Sequence, residues 1–202
     1  MLQWIFFDIG STLIDEQAAY EHRARDAVAD SDVAYDTFYQ TMLAFYRQGK
    51  KGDLEAAKKY SLPITPWHNE DECLYPDAVA CLEELKSRYR LGIIANQTPG
   101  LIMRLKSYGI DRYFDLIVSS AEEGVAKPDP AIFRLALKRA GCRPKEAAMV
   151  GDRLDNDIAP ANLVGMKSVW IRQGFGQYQK PGTADEIPDI IVSTLTELSH
   201  IL

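Results

Sequence analysis

Short apolar runs that stop at a polar residue recur along this chain, and they restrict its fold more than any other feature. Trp4-Ile-Phe-Phe7 stops at Asp8 and a Gly10-Ser-Thr12 turn, Leu91-Gly-Ile-Ile-Ala95 stops at Asn96, and Ala147-Ala-Met-Val150 stops at Gly151-Asp152. Leu116-Ile-Val-Ser119 and Ser168-Val-Trp-Ile171 have the same character, and Asp189-Ile-Ile-Val192 is a weaker sixth. Such runs are too short for helices and apolar on both faces, which is the pattern of buried parallel strands. Helical stretches lie between them. Pro76-Asp77 opens one with Val79, Leu82 and Leu85 on its apolar face, Pro99 to Tyr108 is stopped by Gly109, and another runs from the Lys127-Pro-Asp-Pro130 segment to Ala140. Asp157 to Leu163 is read as helical, ended near Gly165, and a last helix closes at Leu202. This alternation predicts an α/β fold, a parallel sheet with helices on both faces and right-handed crossovers.

One stretch departs from it. From Asp15 to about Tyr60 no strand signal occurs and alanine and charged residues dominate. Ala18, His22, Arg25 and Ala29 fall near one helix face, and Phe38, Met42, Phe45 and Tyr46 form a clearer apolar stripe, with Asp36 or Ser31 as its expected cap. Gly49-Lys-Lys-Gly52 breaks that helix, Asp53 to Tyr60 forms a third, and Leu62-Pro-Ile-Thr-Pro66 ends the run. The segment reads as a helical insert with its own small core.

Composition narrows the function. The 202 residues, 47% hydrophobic, suffice for one domain with a sizeable core or a domain plus a small insert. A net charge of −6 with no basic patch argues against nucleic-acid binding. The 3 cysteines, Cys73, Cys81 and Cys142, are scattered and show no metal spacing, so a reduced, cytoplasmic protein is expected. The opening apolar stretch is too short for a signal peptide and lacks a preceding positive charge, and no run approaches transmembrane length. The oligomeric state, monomer or homodimer, leaves no mark in the sequence.

The chemistry gathers at the strand ends. In an open α/β sheet ligands bind at the carboxyl edge of the strands, and there the chain presents Asp8, Asn96, the loop holding Lys127, and Asp152 with Asp157. Three converging acids repel one another unless a hard cation lies among them, and magnesium suits carboxylates, water and phosphate oxygens.

These pieces resemble the haloacid dehalogenase superfamily of hydrolases, in the branch with a helical cap inserted after the first motif. The resemblance rests on Phe7-Asp-Ile-Gly-Ser-Thr-Leu13, Ile93-Ile-Ala-Asn96, Ala126-Lys-Pro-Asp-Pro-Ala-Ile-Phe133 and Val150-Gly-Asp-Arg-Leu-Asp-Asn-Asp157, and it covers nearly the whole chain. It implies a Rossmann-like core of residues 1–14 and 75–202, with residues 15–74 as a helical cap over the active edge. It further implies a magnesium-dependent phosphatase acting on a small phosphorylated molecule such as a sugar or nucleotide phosphate. Asp8 would be the nucleophile that forms an aspartyl-phosphate. The Asp8 carboxylate, the Gly10 carbonyl and Asp152 would hold Mg2+. Lys127 would neutralise phosphoryl oxygens, Asp157 would orient its neighbours, and Asn96, Ser11, Thr12 and Thr98 would contact the phosphoryl group.

The sequence departs from the family pattern twice. Family phosphatases usually carry a second acid two residues after the nucleophile, and here that position is Gly10. The serine or threonine usual in the second motif is replaced by Ala95, with Asn96 or Thr98 as stand-ins. Asp15 and Glu16, just past the first motif where a cap hinge would be, are the candidates to replace that acid, but a hinge or cap role suits Asp15 better. Loss of the acid predicts slow reaction of alkyl phosphates, competence with aryl or acyl phosphates, and accumulation of a phosphoenzyme. Three alternatives stand beside this reading. One is a regulatory protein that keeps the metal site without turnover. Another is a phosphonate-cleaving relative, which needs a cap lysine among Lys50, Lys51, Lys58 and Lys59. The last is a carbon–halogen-cleaving relative, for which Asp152 and Asp157 would have no use.

Overall fold

Trp4–Phe7 (β1) lies inside a six-stranded parallel sheet, and its neighbours explain why every one of its residues is buried. The computed structural model describes residues 1–202. The remaining strands of this sheet are Arg90–Ala95 (β4), Leu116–Ser119 (β5), Ala147–Gly151 (β6), Lys167–Ile171 (β7) and Ile190–Val192 (β8), in the order β5-β4-β1-β6-β7-β8. Ile14–Asp15 (β2) and Cys73–Leu74 (β3) form a separate antiparallel ribbon. Alternation along β1 sends Ile5 and Phe7 into one core and Trp4 and Phe6 into the other, as the pleat requires. Helices Ala78–Lys86 (α4), Leu101–Ser107 (α5) and Leu195–Ile201 (α9) bury Leu82, Leu85, Leu105 and Leu198 on the first face. Pro130–Ala140 (α7) and Ala159–Val164 (α8) cover the second with Ile132, Phe133 and Ala161, and the short Ser120–Glu123 (α6) follows β5.

Register sets which residues leave the sheet together. Phe7 stands opposite Ile93 on one side and Val150 on the other. Asp8 and the Gly151-Asp152 pair therefore leave the sheet side by side. From β1 the chain runs outward to β4 and β5 and returns to β6 on the opposite side, so this is the point where strand order reverses and a crevice opens.

The insert contains Gln17–Val28 (α1), Tyr35–Tyr46 (α2) and Gly52–Lys59 (α3), which share a core of Ala24, Phe38, Met42, Tyr46 and Ala56. Several local expectations are corrected here. The buried face of α1 is Ala19, Ala24 and Ala27, whereas Ala18, Arg25 and Ala29 are exposed. Neither Asp36 nor Ser31 caps α2. Its cap position is Ala34, and the Ser31 hydroxyl is spent in the preceding turn, donating to Val28 O and accepting from Val33 N. Val79 faces solvent, and Cys81 takes its place in the core. The stretch read as a helix from Asp157 begins earlier, as a single π turn over Leu154–Ile158, a form frequent at functional sites. The β2–β3 ribbon, two residues to a strand, is too short for periodicity to mark. All three cysteines are free, and no helix is long and apolar enough to cross a membrane.

Candidate active site

Asp8 follows β1 directly and is fixed by its own backbone, whose N–H donates to Val150 O at 2.9 Å. Lys127 arrives from the loop before α7. Its ammonium lies 2.8 Å from Asp8 Oδ1 and 2.6 Å from Asp157 Oδ1, and it is fully buried. Asn96, at the end of β4, holds that loop. Its Nδ2 donates to Lys127 O at 2.7 Å, and its Oδ1 accepts from Lys127 N at 2.8 Å. Asn96 thus spends its amide on the Lys127 backbone, a positioning task the sequence did not reveal. The π turn has a comparable effect on Asp157, whose N–H donates to Arg153 O at 2.9 Å while its Oδ2 accepts from Arg153 N at 3.1 Å.

The carboxylates of Asp8, Asp152 and Asp157 come within 4.8 Å of one another. Only one ammonium enters this cluster, and the electrostatics register the imbalance. Burial, together with the Asp157 and Asp8 carboxylates, pushes Asp152 well above the ordinary carboxylate range. Burial also raises Asp157, against the pull of Lys127. Lys127 itself is held above its usual value, because Asp157 and Asp8 outweigh a burial that would otherwise lower it. Three clustered acids share one lysine, and Asp152, which the lysine does not touch, is buried; that is an environment a divalent cation neutralises, so the donor set fits Mg2+.

A cavity of about 370 Å³ opens over this cluster. Asp8, Gly10, Ser11, Asn96, Lys127 and Asp152 line it, and so do cap residues Tyr20, Tyr46 and Lys51. The other expected phosphate contacts fare differently. Thr12 is fully buried, its hydroxyl has no partner, and it does not line the cavity. Thr98 is exposed and lines an adjoining cavity. Among the cap lysines, Lys51 lines the catalytic cavity but is exposed, while Lys50 and Lys59 lie over the Phe45 and Tyr60 rings. A Schiff-base lysine needs a desolvated amine, and Lys51 lacks the burial.

The residue that sequence reasoning passed over is Glu16. Ser11, at φ 54°, donates from its hydroxyl to Glu16 Oε2 at 3.1 Å. Arg104 Nη2 stands 3.8 Å from Glu16 Oε1 and 2.5 Å from Glu72 Oε2. Burial, reinforced by Glu72 and opposed by Arg104, pushes the Glu16 carboxyl up to about 8.

Comparison with known proteins bears on the family and the fold. A family model described as haloacid dehalogenase-like hydrolase matches residues 2–165. The glyceraldehyde 3-phosphate phosphatase of Methanocaldococcus jannaschii is 33% identical, over 100% of this chain and 97% of that protein. The crystal structure of a phosphatase from Thermococcus onnurineus superposes with a TM-score of 0.66 at 28% identity, covering 100% of this chain and 97% of the other. The L-2-haloacid dehalogenase of Xanthobacter autotrophicus reaches a TM-score of 0.72 at 20% identity, with coverage of 100% and 98%. At that identity the likeness concerns the fold alone.

Proposed function

This chain belongs to the haloacid dehalogenase-like hydrolases, and from that premise we propose that it is a magnesium-dependent phosphatase of small phosphorylated molecules that works through an aspartyl-phosphate on Asp8. The observation that carries the reading is the Asp8–Lys127–Asp157 chain of contacts at 2.8 and 2.6 Å beside a second buried acid, Asp152. A carbon–halogen hydrolase would have no use for that second acid. A phosphatase has two uses for the arrangement, a cation site and a fixed nucleophile.

In this reading the free oxygen of Asp8 attacks phosphorus in line with the leaving oxygen, while Lys127 fixes the other oxygen and neutralises phosphoryl charge. Asp157 keeps Lys127 charged and aimed, and Asn96 holds the loop that carries it. Asp8, the Gly10 carbonyl and Asp152 would hold Mg2+. Bound there, the ion supplies positive charge to the transferring phosphoryl group and screens Asp8 from Asp152. The small polar cavity and the name of the Methanocaldococcus relative both support a substrate of about triose phosphate size.

The test is hydrolysis of 4-nitrophenyl phosphate with and without magnesium, followed by intact mass measurement. We expect turnover that requires magnesium, a phosphorylated intermediate, and loss of both in Asp8→Asn. Magnesium binding without turnover or adduct would instead support a regulatory protein.

A further inference from the structure

The family pattern asks for an acid at position 10, and the chain has glycine there. The structure shows what fills the vacated volume. A Cβ built on Gly10 would lie 2.5 Å from Glu16 Oε1 and 2.7 Å from Glu16 Oε2. The Glu16 carboxylate therefore occupies the space that the first atoms of a residue-10 side chain would take. It also lines the same cavity as Asp8 and Lys127.

Its neighbours in the chain explain why it points there. Glu16 stands at the cap position of α1 yet makes no side-chain bond to that helix. The neighbouring Asp15 performs the capping, its Oδ1 accepting from Gln17 N at 2.9 Å. Of two adjacent acids, one is spent on the helix terminus and the other is turned into the cavity, where Ser11 donates to it at 3.1 Å.

We propose that Glu16 is the acid–base group of this enzyme, reaching from the start of the cap into the place a residue-10 side chain would fill. The inference rests on the aspartyl-phosphate reading above. In the first step an Asp8 oxygen bonds to phosphorus, the bond from phosphorus to the leaving oxygen breaks, and the Glu16 carboxyl gives its proton to that oxygen. The products are an alcohol or phenol, the aspartyl-phosphate and a Glu16 carboxylate. In the second step this carboxylate takes a proton from water as the water oxygen bonds to phosphorus. The bond from Asp8 to phosphorus then breaks, releasing phosphate and leaving Glu16 protonated for another cycle. On this assignment the slow chemistry expected from a bare position 10 would not arise, because the proton donor comes from elsewhere in the chain.

The experiment compares formation of the phosphoenzyme from 4-nitrophenyl phosphate and from phenyl phosphate, whose leaving oxygen is more basic, by rapid mixing in the presence of magnesium. Glu16→Gln should widen the ratio of the two rates by about tenfold or more, a leaving-group-dependent part of the roughly 10²–10⁴ that general acid–base catalysis supplies. It should also let the aspartyl-phosphate accumulate, visible by intact mass. Gly10→Asp alone should be impaired relative to the wild type, since its side chain meets Glu16. Gly10→Asp combined with Glu16→Ala should regain phenyl phosphate reactivity, and this pair decides the matter even where Glu16→Gln folds poorly. An unchanged ratio in Glu16→Gln, equal slowing of both donors, or no recovery in the double variant would overturn the assignment while leaving the phosphatase standing. A wild-type protein that forms no adduct on Asp8 from either donor would overturn the phosphatase reading itself, and Glu16 with it.

Discussion

Lys127 and Asp157 form a fully buried ion pair at 2.6 Å, and Gly151 is what allows it. A Cβ at Gly151 would overlap the Asp157 carboxylate, so any side chain there drives Asp157 from its place against Lys127. Gly151→Ala should lower turnover of 4-nitrophenyl phosphate by roughly 10–100-fold, the usual cost of losing a residue that orients a catalytic one. The circular dichroism of the fold should be retained. Asp8, Lys127, Asp152 and Asp157 were legible in the sequence because each follows a strand or sits in a fixed-spacing turn. Glu16 was not. It follows a two-residue strand that no periodicity marks, and the turn at Ser11, not spacing, carries it to Gly10. The available signal was the bare position itself, since a missing side chain beside a nucleophile leaves a volume for another part of the chain. Thr12 shows the opposite error: its position in the motif suggested a ligand contact, and the turn buries it.

At the scale of elements, the sheet was readable throughout and the cap less so. Strands of a buried parallel sheet declare themselves by continuous apolar runs, whereas α1 is rich in alanine and charge and takes its buried face from what packs on it. Gly52 illustrates the point. In the sequence it belongs to the break between helices, but in the structure it opens α3, because α3 crosses α2 so closely that a Cβ would overlap Met42 O and the Tyr46 ring. Gly52→Ala should therefore destabilise the protein by about 1–3 kcal/mol, the typical cost of overpacking, as read from chemical denaturation. Because Tyr46 also lines the catalytic cavity, the same change should raise KM for a small phosphate ester.

Over the whole molecule, one aromatic side chain of the core enters the small core of the helical insert. Phe175, in the loop after β7, stacks on Tyr46 with centroids 4.6 Å apart and meets the edge of Tyr20 at 4.9 Å. It is buried among cap residues although the core carries it. Nearby, Arg153 donates to Gly49 O at 3.1 Å. Phe175→Ala should loosen closure: amides of α1 and α2 should exchange hydrogen faster, KM should rise, and the melting of the core should change little. The β2–β3 ribbon would give such closure its geometry. Ile14 pairs with Leu74 and Asp15 with Cys73, so the outgoing and returning chains are bonded to each other where they cross. A body tied by two separate strings can drift and twist, whereas one carried on a bonded pair pivots like a door on a single pin. A cap that closed on this pair would be confined to one arc, with few rotatable bonds to freeze. Glu16 is the first residue beyond the pin, where a swing of many ångströms at the far edge of the cap amounts to a small displacement.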